Sequence, residues 1–216
     1  MNGTAQKSFY LIGHRGFPAL YPENTMTGIL AAIAEGADGV EFDIQISKDN
    51  IPVVFHDTSL ARTTGISGEL ADYTYSVLER LSAHEPARLG LTHLPEPITS
   101  LASLVQELTK WPEVLAFAEI KQEIFARQNR EKTMLSIGTI LQPIKSHCYV
   151  ISFDWEILLL ARQQGYHIGW VLETLDADSL VQAHALNPEL LIIDYAKLPN
   201  AGPPKGPWQW FVYDIT

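Results

Sequence analysis

Two acidic residues alternate with apolar residues in the segment GVEFDIQI (39–46). Successive side chains of a β-strand point to opposite faces, so Glu41 and Asp43 share one face and the residues between them form an apolar face. Two carboxylates on a strand with an apolar back need a compensating positive charge. The spacing therefore predicts that a partner compensates the charge of Glu41 and Asp43.

A histidine follows this strand after a short connection, SKDN (47–50). A parallel crossover needs a dozen or more residues, so the strand and the next apolar run, IPVVFH (51–56), must form an antiparallel hairpin. A two-residue turn at 49–50 places Asp43 opposite His56, with Cβ atoms about 5 Å apart. We therefore expect His56 to share the face of the two acids, although a shift of one residue in the register would turn it to the other face.

Short apolar runs recur along the chain, and most are apolar at nearly every position, which is typical of strands buried on both faces. They lie at 9–13, 39–44, 51–56, 115–120, 149–153, 167–172, 190–194 and 210–215. Helical patterns lie between them, and three begin after candidate capping residues: Asn24 or Thr25, Ser100, and Asp154. Strands that alternate with capped helices predict a parallel α/β sheet.

A closed barrel is favoured over an open doubly wound sheet because no GxGxxG motif follows the first strand. Polar residues also stand at or just beyond the ends of several strands. They are Gly13-His14-Arg15, Glu41, Asp43, Glu119, Lys121, Ser152 and Asp154. Barrel enzymes build their active sites from the carboxyl ends of several strands at once, so we expect an α/β fold of the TIM type with its site at that end.

The segment 57–99 lacks the strand–helix alternation and contains many Gly, Pro and Thr residues. We expect it to be an insertion above the barrel, after the second strand of a single domain that covers residues 1–216. The return arm of the hairpin is not a barrel strand, so seven barrel strands remain, and an eight-stranded barrel would lack its final strand. For the missing strand we favour an incomplete sequence over a partner that covers the gap or a compromised fold.

The composition limits the classes of partner. The formal net charge of −10 argues against non-specific binding to nucleic acids or anionic membranes. A single cysteine, Cys148, excludes an intrachain disulfide. No apolar run approaches the roughly 20 residues of a membrane span, and no secretory signal is recognisable, so the cytoplasm is the expected compartment.

Several motifs together resemble the glycerophosphodiester phosphodiesterase family. They are His14-Arg15-Gly16, Pro22-Glu23-Asn24-Thr25, the VEFDIQISKDNIPVVFHD hairpin, Arg62-Thr63-Thr64, LPEPITSLASL, the AEIK of 118–121 and the ISF of 151–153. Each motif alone is weak, but their combination in the order of the family is specific. The resemblance implies a metal-dependent (β/α)8 barrel that cleaves glycerophosphodiesters into glycerol 3-phosphate and an alcohol.

The resemblance also implies roles for seven residues. Glu41, Asp43 and Glu119 are the implied metal ligands, and three carboxylates without a softer ligand suit one hard divalent cation, Mg²⁺ or Ca²⁺. His14 and His56 are the implied acid and base, in an order that the sequence leaves open. The implied phosphate ligands are Arg15 and Lys121.

The chain departs from the family pattern near its last strand. Tyr213 stands where the family usually has a substrate-stacking tryptophan, and a buried core tyrosine explains it equally well. The missing final strand keeps a second function open, an inactive barrel that acts as a binding module. A third is a related phosphodiesterase that acts on lysophospholipids or cyclic phosphodiesters. The oligomeric state is not predicted.

Overall fold

The computed structural model describes residues 9–215 of the chain. The strands are β1 (Ile12–Gly13), β2 (Gly39–Ile46), β3 (Pro52–Val54), β4 (Leu115–Ile120), β5 (Cys148–Ser152), β6 (His167–Val171), β7 (Leu190–Asp194) and β8 (Gln209–Tyr213). The α-helices are α1 (Met26–Ala34), α2 (Ala61–Thr64), α3 (Tyr75–Leu78), α4 (Pro86–Leu89), α5 (Leu101–Leu108), α6 (Arg130–Leu141), α7 (Trp155–Gln163) and α8 (Ala177–Leu186). Short 3₁₀ helices span Leu70–Asp72, Gln122–Ala126, Gln142–His147 and Tyr195–Lys197.

Seven strands form one parallel sheet in the order β1-β2-β4-β5-β6-β7-β8, and β3 pairs antiparallel with β2. The predicted parallel α/β sheet and its seven barrel strands are therefore confirmed. The sheet curls on itself, because the ring of Phe117 on β4 lies 5.4 Å from the ring of Phe211 on β8 although three strands separate the two in the sheet. Within residues 9–215, no backbone ladder joins β8 to β1.

Two apolar layers lie on the two sides of the sheet. The inner layer contains Phe117, Ile151, Val171, Leu190 and Ile192, which come from four different strands. The outer layer is larger and packs the opposite faces of the strands against the helices. The almost continuous apolar runs in the sequence reflect this burial on both faces.

Of the two candidate caps of the first helix, Asn24 and Thr25, the structure uses Thr25, and the predicted caps Ser100 and Asp154 also begin helices. The side chain of Thr25 accepts a hydrogen bond from the backbone at the start of α1, and Ser100 and Asp154 do the same for α5 and α7. Gly36, just beyond α1, adopts a φ of 90°, which suits glycine after the end of a helix.

The hairpin is confirmed, but the predicted register is wrong by one residue. Gln45 pairs with Val53, and the backbone N–H of Phe55 donates to the carbonyl of Asp43, so Phe55 and not His56 lies opposite Asp43. The turn contains the three residues 48–50 rather than two, and Asn50 occupies the left-handed region with a φ of 64°. A three-residue hairpin loop that ends in a left-handed residue is a common alternative to the two-residue turn, and asparagine tolerates that conformation.

The segment 57–99 carries α2, α3 and α4 and builds a small core of its own with the return arm of the hairpin. Its buried residues are Val53, Phe55, Leu60, Leu70, Leu78, Ala83 and Ile98. The side chain of Phe55 is therefore buried in this core, while its backbone still bonds to Asp43. No helix in residues 9–215 is long and apolar enough to cross a membrane.

Candidate active site

A cleft opens at the carboxyl ends of the strands, and six of the seven sequence-predicted site residues line it, all except Asp43. Its polar residues are His14, Arg15, Glu41, His56, Glu119, Lys121, Tyr213 and Asp214. Its apolar floor comes from Ile151, Phe153, Val171 and Ile192, which continue the inner layer of the barrel. Asp43 lies directly beneath the polar rim, where Lys121 and Arg15 contact it.

Three buried carboxylates form a cluster at the base of this cleft. Asp43 on β2 pairs in the parallel register with Glu119 on β4, and Glu41 precedes Asp43 by two residues on the same face. One oxygen from each of the three lies within 4.8 Å of the others. The two strands therefore bring the three predicted ligands together by simple register.

The cluster concentrates negative charge away from water. Burial, and then the carboxylates of Asp43 and Glu119, raise the pKa of Glu41 well above its usual value. Burial and Asp43 also raise the pKa of Glu119, although the ammonium of Lys121 opposes this effect. Glu41 Oε1 is buried without a hydrogen-bond partner. An unpartnered buried oxygen beside two other carboxylates fits a hard divalent cation, because such ions bind oxygen ligands.

Two cationic side chains lie against the same carboxylates. Lys121 Nζ is 2.8 Å from Glu119 and 3.5 Å from Asp43, and these two acids raise the pKa of this buried lysine despite its desolvation. Arg15 Nε is 3.3 Å from Asp43, and the Arg15 backbone N–H donates to Glu41 Oε2 at 2.8 Å. Both cations thus offset part of the negative charge of the cluster.

A tight turn after β1 places His14 and Arg15. Arg15 and Gly16 both have positive φ values, 56° and 89°. A Cβ atom on Gly16 would lie 2.6 Å from the backbone carbonyl carbon of Gly28 in α1, so only glycine fits this position. The glycine of the His-Arg-Gly motif therefore allows α1 to pack directly beneath the turn.

His14 and His56 enter the cleft from different elements. His14 Nε2 is 3.9 Å from Glu41 and its ring is 5.8 Å from that of Tyr213. Burial, and then the charge of Arg15, lower the pKa of His14. His56 follows β3, after the ladder has ended at Val54, and its Nδ1 lies 2.6 Å from Asp57 Oδ1. It reaches the cleft because the chain bends there, so the register error does not remove it from the site.

Polar residues that the sequence analysis did not assign support this site. Asn24 forms two hydrogen bonds to Asp43, one to the carboxylate at 2.8 Å and one from the backbone N–H at 3.0 Å. Glu23, for which the motif alone gives no role, accepts hydrogen bonds from Arg15 and Arg62. The family motifs contain all three of these residues, Asn24, Glu23 and Arg62. Membership in those motifs was the sequence feature that could have identified them as part of the site.

Two other polar residues at strand ends have local structural contacts. Asp154 caps α7 and pairs with Arg130 at 2.6 Å, and Ser152 donates to the backbone carbonyl of Ile120. Neither side chain lines the cleft. Their position after a strand reflects the barrel architecture and not a contribution to the site.

The sequence from residue 14 to residue 191 matches the model of the glycerophosphoryl diester phosphodiesterase family. The chain belongs to this family. It is 32% identical over 168 residues to a glycerophosphodiester phosphodiesterase of Bacillus altitudinis, which covers 77% of this chain and 66% of that protein. It is also 32% identical over 152 residues to mouse glycerophosphodiester phosphodiesterase 1, which covers 70% of this chain and 45% of the mouse protein. The chain thus spans less than two thirds of both of these relatives.

Solved structures agree with the fold. A phosphodiesterase of Oleispira antarctica, solved with its product sn-glycerol-3-phosphate, superposes with a TM-score of 0.81 at 23% identity, over 96% of this chain and 85% of that one. At this level of identity the similarity establishes the barrel fold. The predicted α/β architecture of the TIM type is therefore confirmed.

Proposed function

We propose that this chain hydrolyses glycerophosphodiesters to glycerol 3-phosphate and an alcohol, with one divalent cation, Mg²⁺ or Ca²⁺, as cofactor. The observation that carries the proposal is the cluster of Glu41, Asp43 and Glu119 within one cleft that also contains two histidines and two cationic side chains. Family membership supports the same reaction class.

The three carboxylates suit the proposed cation, and each has a different local support. Asn24 orients Asp43, the Arg15 backbone orients Glu41, and Lys121 orients Glu119. A bound Mg²⁺ or Ca²⁺ would neutralise these carboxylates and polarise a phosphoryl oxygen. Neutralisation also removes the repulsion that raises the pKa of Glu41.

Arg15 and Lys121 are proposed to bind the phosphate of the substrate. Their positive charges lie at the rim of the acidic cluster, where they can offset the negative charge that develops on the equatorial oxygens during displacement.

His14 and His56 are proposed to transfer the two protons of the reaction. One imidazole removes a proton from the attacking group, which is either a water molecule or the glycerol hydroxyl of the substrate. The other imidazolium donates a proton to the oxygen of the departing alcohol as the P–O bond breaks. Their entry from β1 and from the hairpin places them on different elements of the cleft, and either assignment of the two roles fits this geometry.

The proposal is tested by measuring glycerol 3-phosphate released from glycerophosphocholine, with Mg²⁺, with Ca²⁺ and with EDTA. We expect release with a cation and none with EDTA. A parallel assay with a lysophospholipid distinguishes the glycerophosphodiester from a lipid substrate. Binding of the diester without turnover at any cation would support the binding-module alternative and would contradict the proposal.

The matched variants are Glu119→Gln and Glu79→Gln. Glu119 is buried in the cluster, whereas Glu79 is exposed at the end of α3, outside the cleft. We expect Glu119→Gln to abolish cation-dependent release and Glu79→Gln to behave as the wild-type protein. Equal activity of the two variants would contradict the assignment of the cation site.

A further inference from the structure

An arginine in the segment after the hairpin joins two carboxylates beside the cleft. Arg62 in α2 donates through Nε and Nη2 to both oxygens of Asp57, at 2.7 and 2.9 Å. Its Nη1 and Nη2 donate to both oxygens of Glu23, at 2.8 and 2.6 Å. One planar guanidinium thus holds two acids in fixed positions, which an ammonium group could not do with the same geometry.

Each of the two acids contacts one residue of the cleft. Asp57 Oδ1 lies 2.6 Å from His56 Nδ1, and Glu23 Oε1 accepts a hydrogen bond from Arg15 at 3.2 Å. The continuous path His56–Asp57–Arg62–Glu23–Arg15 therefore connects a proposed proton-transfer residue to a proposed phosphate ligand. It crosses from the hairpin, through α2, to the loop before α1.

The contact with Asp57 fixes which nitrogen of His56 carries a proton. A carboxylate that accepts hydrogen bonds from Arg62 on both oxygens stays ionised and can only accept, so His56 Nδ1 must be the donor. These hydrogen bonds lower the pKa of Asp57 to about 2, although partial burial opposes the shift. The second nitrogen, Nε2, is then the atom that takes up or releases a proton in the cleft.

We propose that Asp57, held in place by Arg62, is a positioning residue that keeps His56 in the Nδ1-protonated form with Nε2 available to the substrate. This inference rests on the proposed function for its kinetic consequence, but the tautomer itself is a property of the folded chain. Asp57 acts through His56 and does not contact the substrate. Arg62 acts one step further away, through Asp57.

The first test is the tautomer of His56, measured by ¹⁵N–¹H correlation spectroscopy of the imidazole in the full chain. We expect an Nδ1-protonated neutral ring in the wild-type protein and loss of this single form in Asp57→Asn and in Arg62→Met. Arg127→Met is the matched control, because Arg127 forms an exposed ion pair with Asp72 at 2.6 Å. An Nε2-protonated ring in the wild-type protein, or an unchanged ring in Asp57→Asn, would overturn the proposal.

The second test is a double-mutant cycle on kcat between Asp57→Asn and His56→Ala. Asp57→Asn alone should lower kcat about tenfold or more and leave KM nearly unchanged, as expected for loss of an orienting contact. In the His56→Ala background the same substitution should lower kcat no further, because its only route to the reaction is then absent. A loss that is equal in both backgrounds would assign Asp57 a purely structural role and would refute the proposal.

The two tests also separate this inference from the proposed function. If the wild-type chain turns over no diester, the proposed function fails, and the imidazole spectra still decide whether Asp57 fixes the tautomer. If turnover is present and the spectra show no effect of Asp57, the inference alone fails.

Discussion

Asn24 and Asp43 form a two-point contact at the base of the cleft. Asn24 Nδ2 donates to the Asp43 carboxylate at 2.8 Å, and Asn24 Oδ1 accepts the backbone N–H of Asp43 at 3.0 Å. Asn24 adopts a φ of 54°, a conformation that asparagine tolerates better than most residues. The pair joins the loop before α1 to β2 and fixes the orientation of one proposed metal ligand.

Removal of the Asn24 side chain should weaken cation binding. Asn24→Gly keeps the left-handed backbone and deletes both hydrogen bonds, so we expect the affinity for Mg²⁺ or Ca²⁺ to fall about 10- to 100-fold. Titration calorimetry measures this change. Asn187→Gly is the control, because Asn187 has a φ of 48° at the end of α8, away from the cleft. Equal affinity of the two variants would show that Asn24 does not support the cation site.

Substitution of either proposed proton-transfer residue should slow the reaction without unfolding the chain. We expect His14→Ala and His56→Ala each to lower kcat by about 10²- to 10⁴-fold, the usual contribution of general acid–base catalysis. Circular dichroism checks that the variants fold. His84→Ala is the control, because His84 lies in the 57–99 segment and does not line the cleft. If either variant keeps the wild-type kcat, the proposed role of the substituted histidine is refuted.

Glu41 should destabilise the cation-free protein. Burial and neighbouring carboxylates raise its pKa in the folded state, so its cost to stability is present above that raised pKa and disappears as the pH falls below the unfolded value of about 4.3. We therefore expect Glu41→Gln to raise the thermal midpoint of the cation-free protein at neutral pH and to have little effect near pH 4.

A divalent cation should make the wild-type protein more stable than Glu41→Gln. The wild-type protein should gain about 2.7 kcal/mol at a cation concentration of 100 Kd, whereas Glu41→Gln should gain much less. Thermal unfolding with Mg²⁺, Ca²⁺ or EDTA measures both effects. The prediction fails if the cation stabilises the two proteins equally.

Asp57 should stabilise the fold in a pH-dependent way. Its pKa is lowered to about 2 in the folded protein, so its contribution is fully present above the unfolded value of about 3.9 and is lost as the pH falls through about 2. Urea unfolding should therefore give a lower free energy of unfolding for Asp57→Asn than for the wild-type protein at pH 7. This difference should shrink between pH 4 and pH 2. Asp72→Asn, which removes an exposed ion pair, should change the free energy of unfolding little at any of these pH values. If the difference in the free energy of unfolding between the wild-type protein and Asp57→Asn is the same at all these pH values, the ionised carboxylate is not its cause.

The sequence was sufficient to predict the elements and the cluster of acids. Alternation along β2 placed Glu41 and Asp43 on one face, and parallel register with β4 then brings Glu119 beside them. The alternation along a strand is a local property. The pairing of β2 with β4 joins distant parts of the chain, and Glu119 was expected at the site because it stands at the end of a strand and belongs to a family motif. The caps Ser100 and Asp154 were equally predictable, and the first cap was narrowed to Asn24 or Thr25, because a cap acts within one turn.

The hairpin register and the supporting polar contacts were not predictable from the same patterns. Two- and three-residue turns differ little in local energy, and here Asp49 accepts a hydrogen bond from the backbone N–H of Tyr75, a contact from the distant 57–99 segment. Arg62 meets Glu23 across 39 positions of the chain. Such contacts are decided by how the 57–99 segment packs, and no periodicity in the sequence encodes that packing.

The most direct test of the proposed activity is ³¹P NMR of glycerophosphocholine incubated with the purified chain. We predict that the diester resonance is replaced by that of glycerol 3-phosphate in the presence of Mg²⁺ or Ca²⁺, and that EDTA or the Glu119→Gln substitution prevents the conversion. A folded, cation-bound chain that leaves this and other glycerophosphodiesters unchanged would contradict the account.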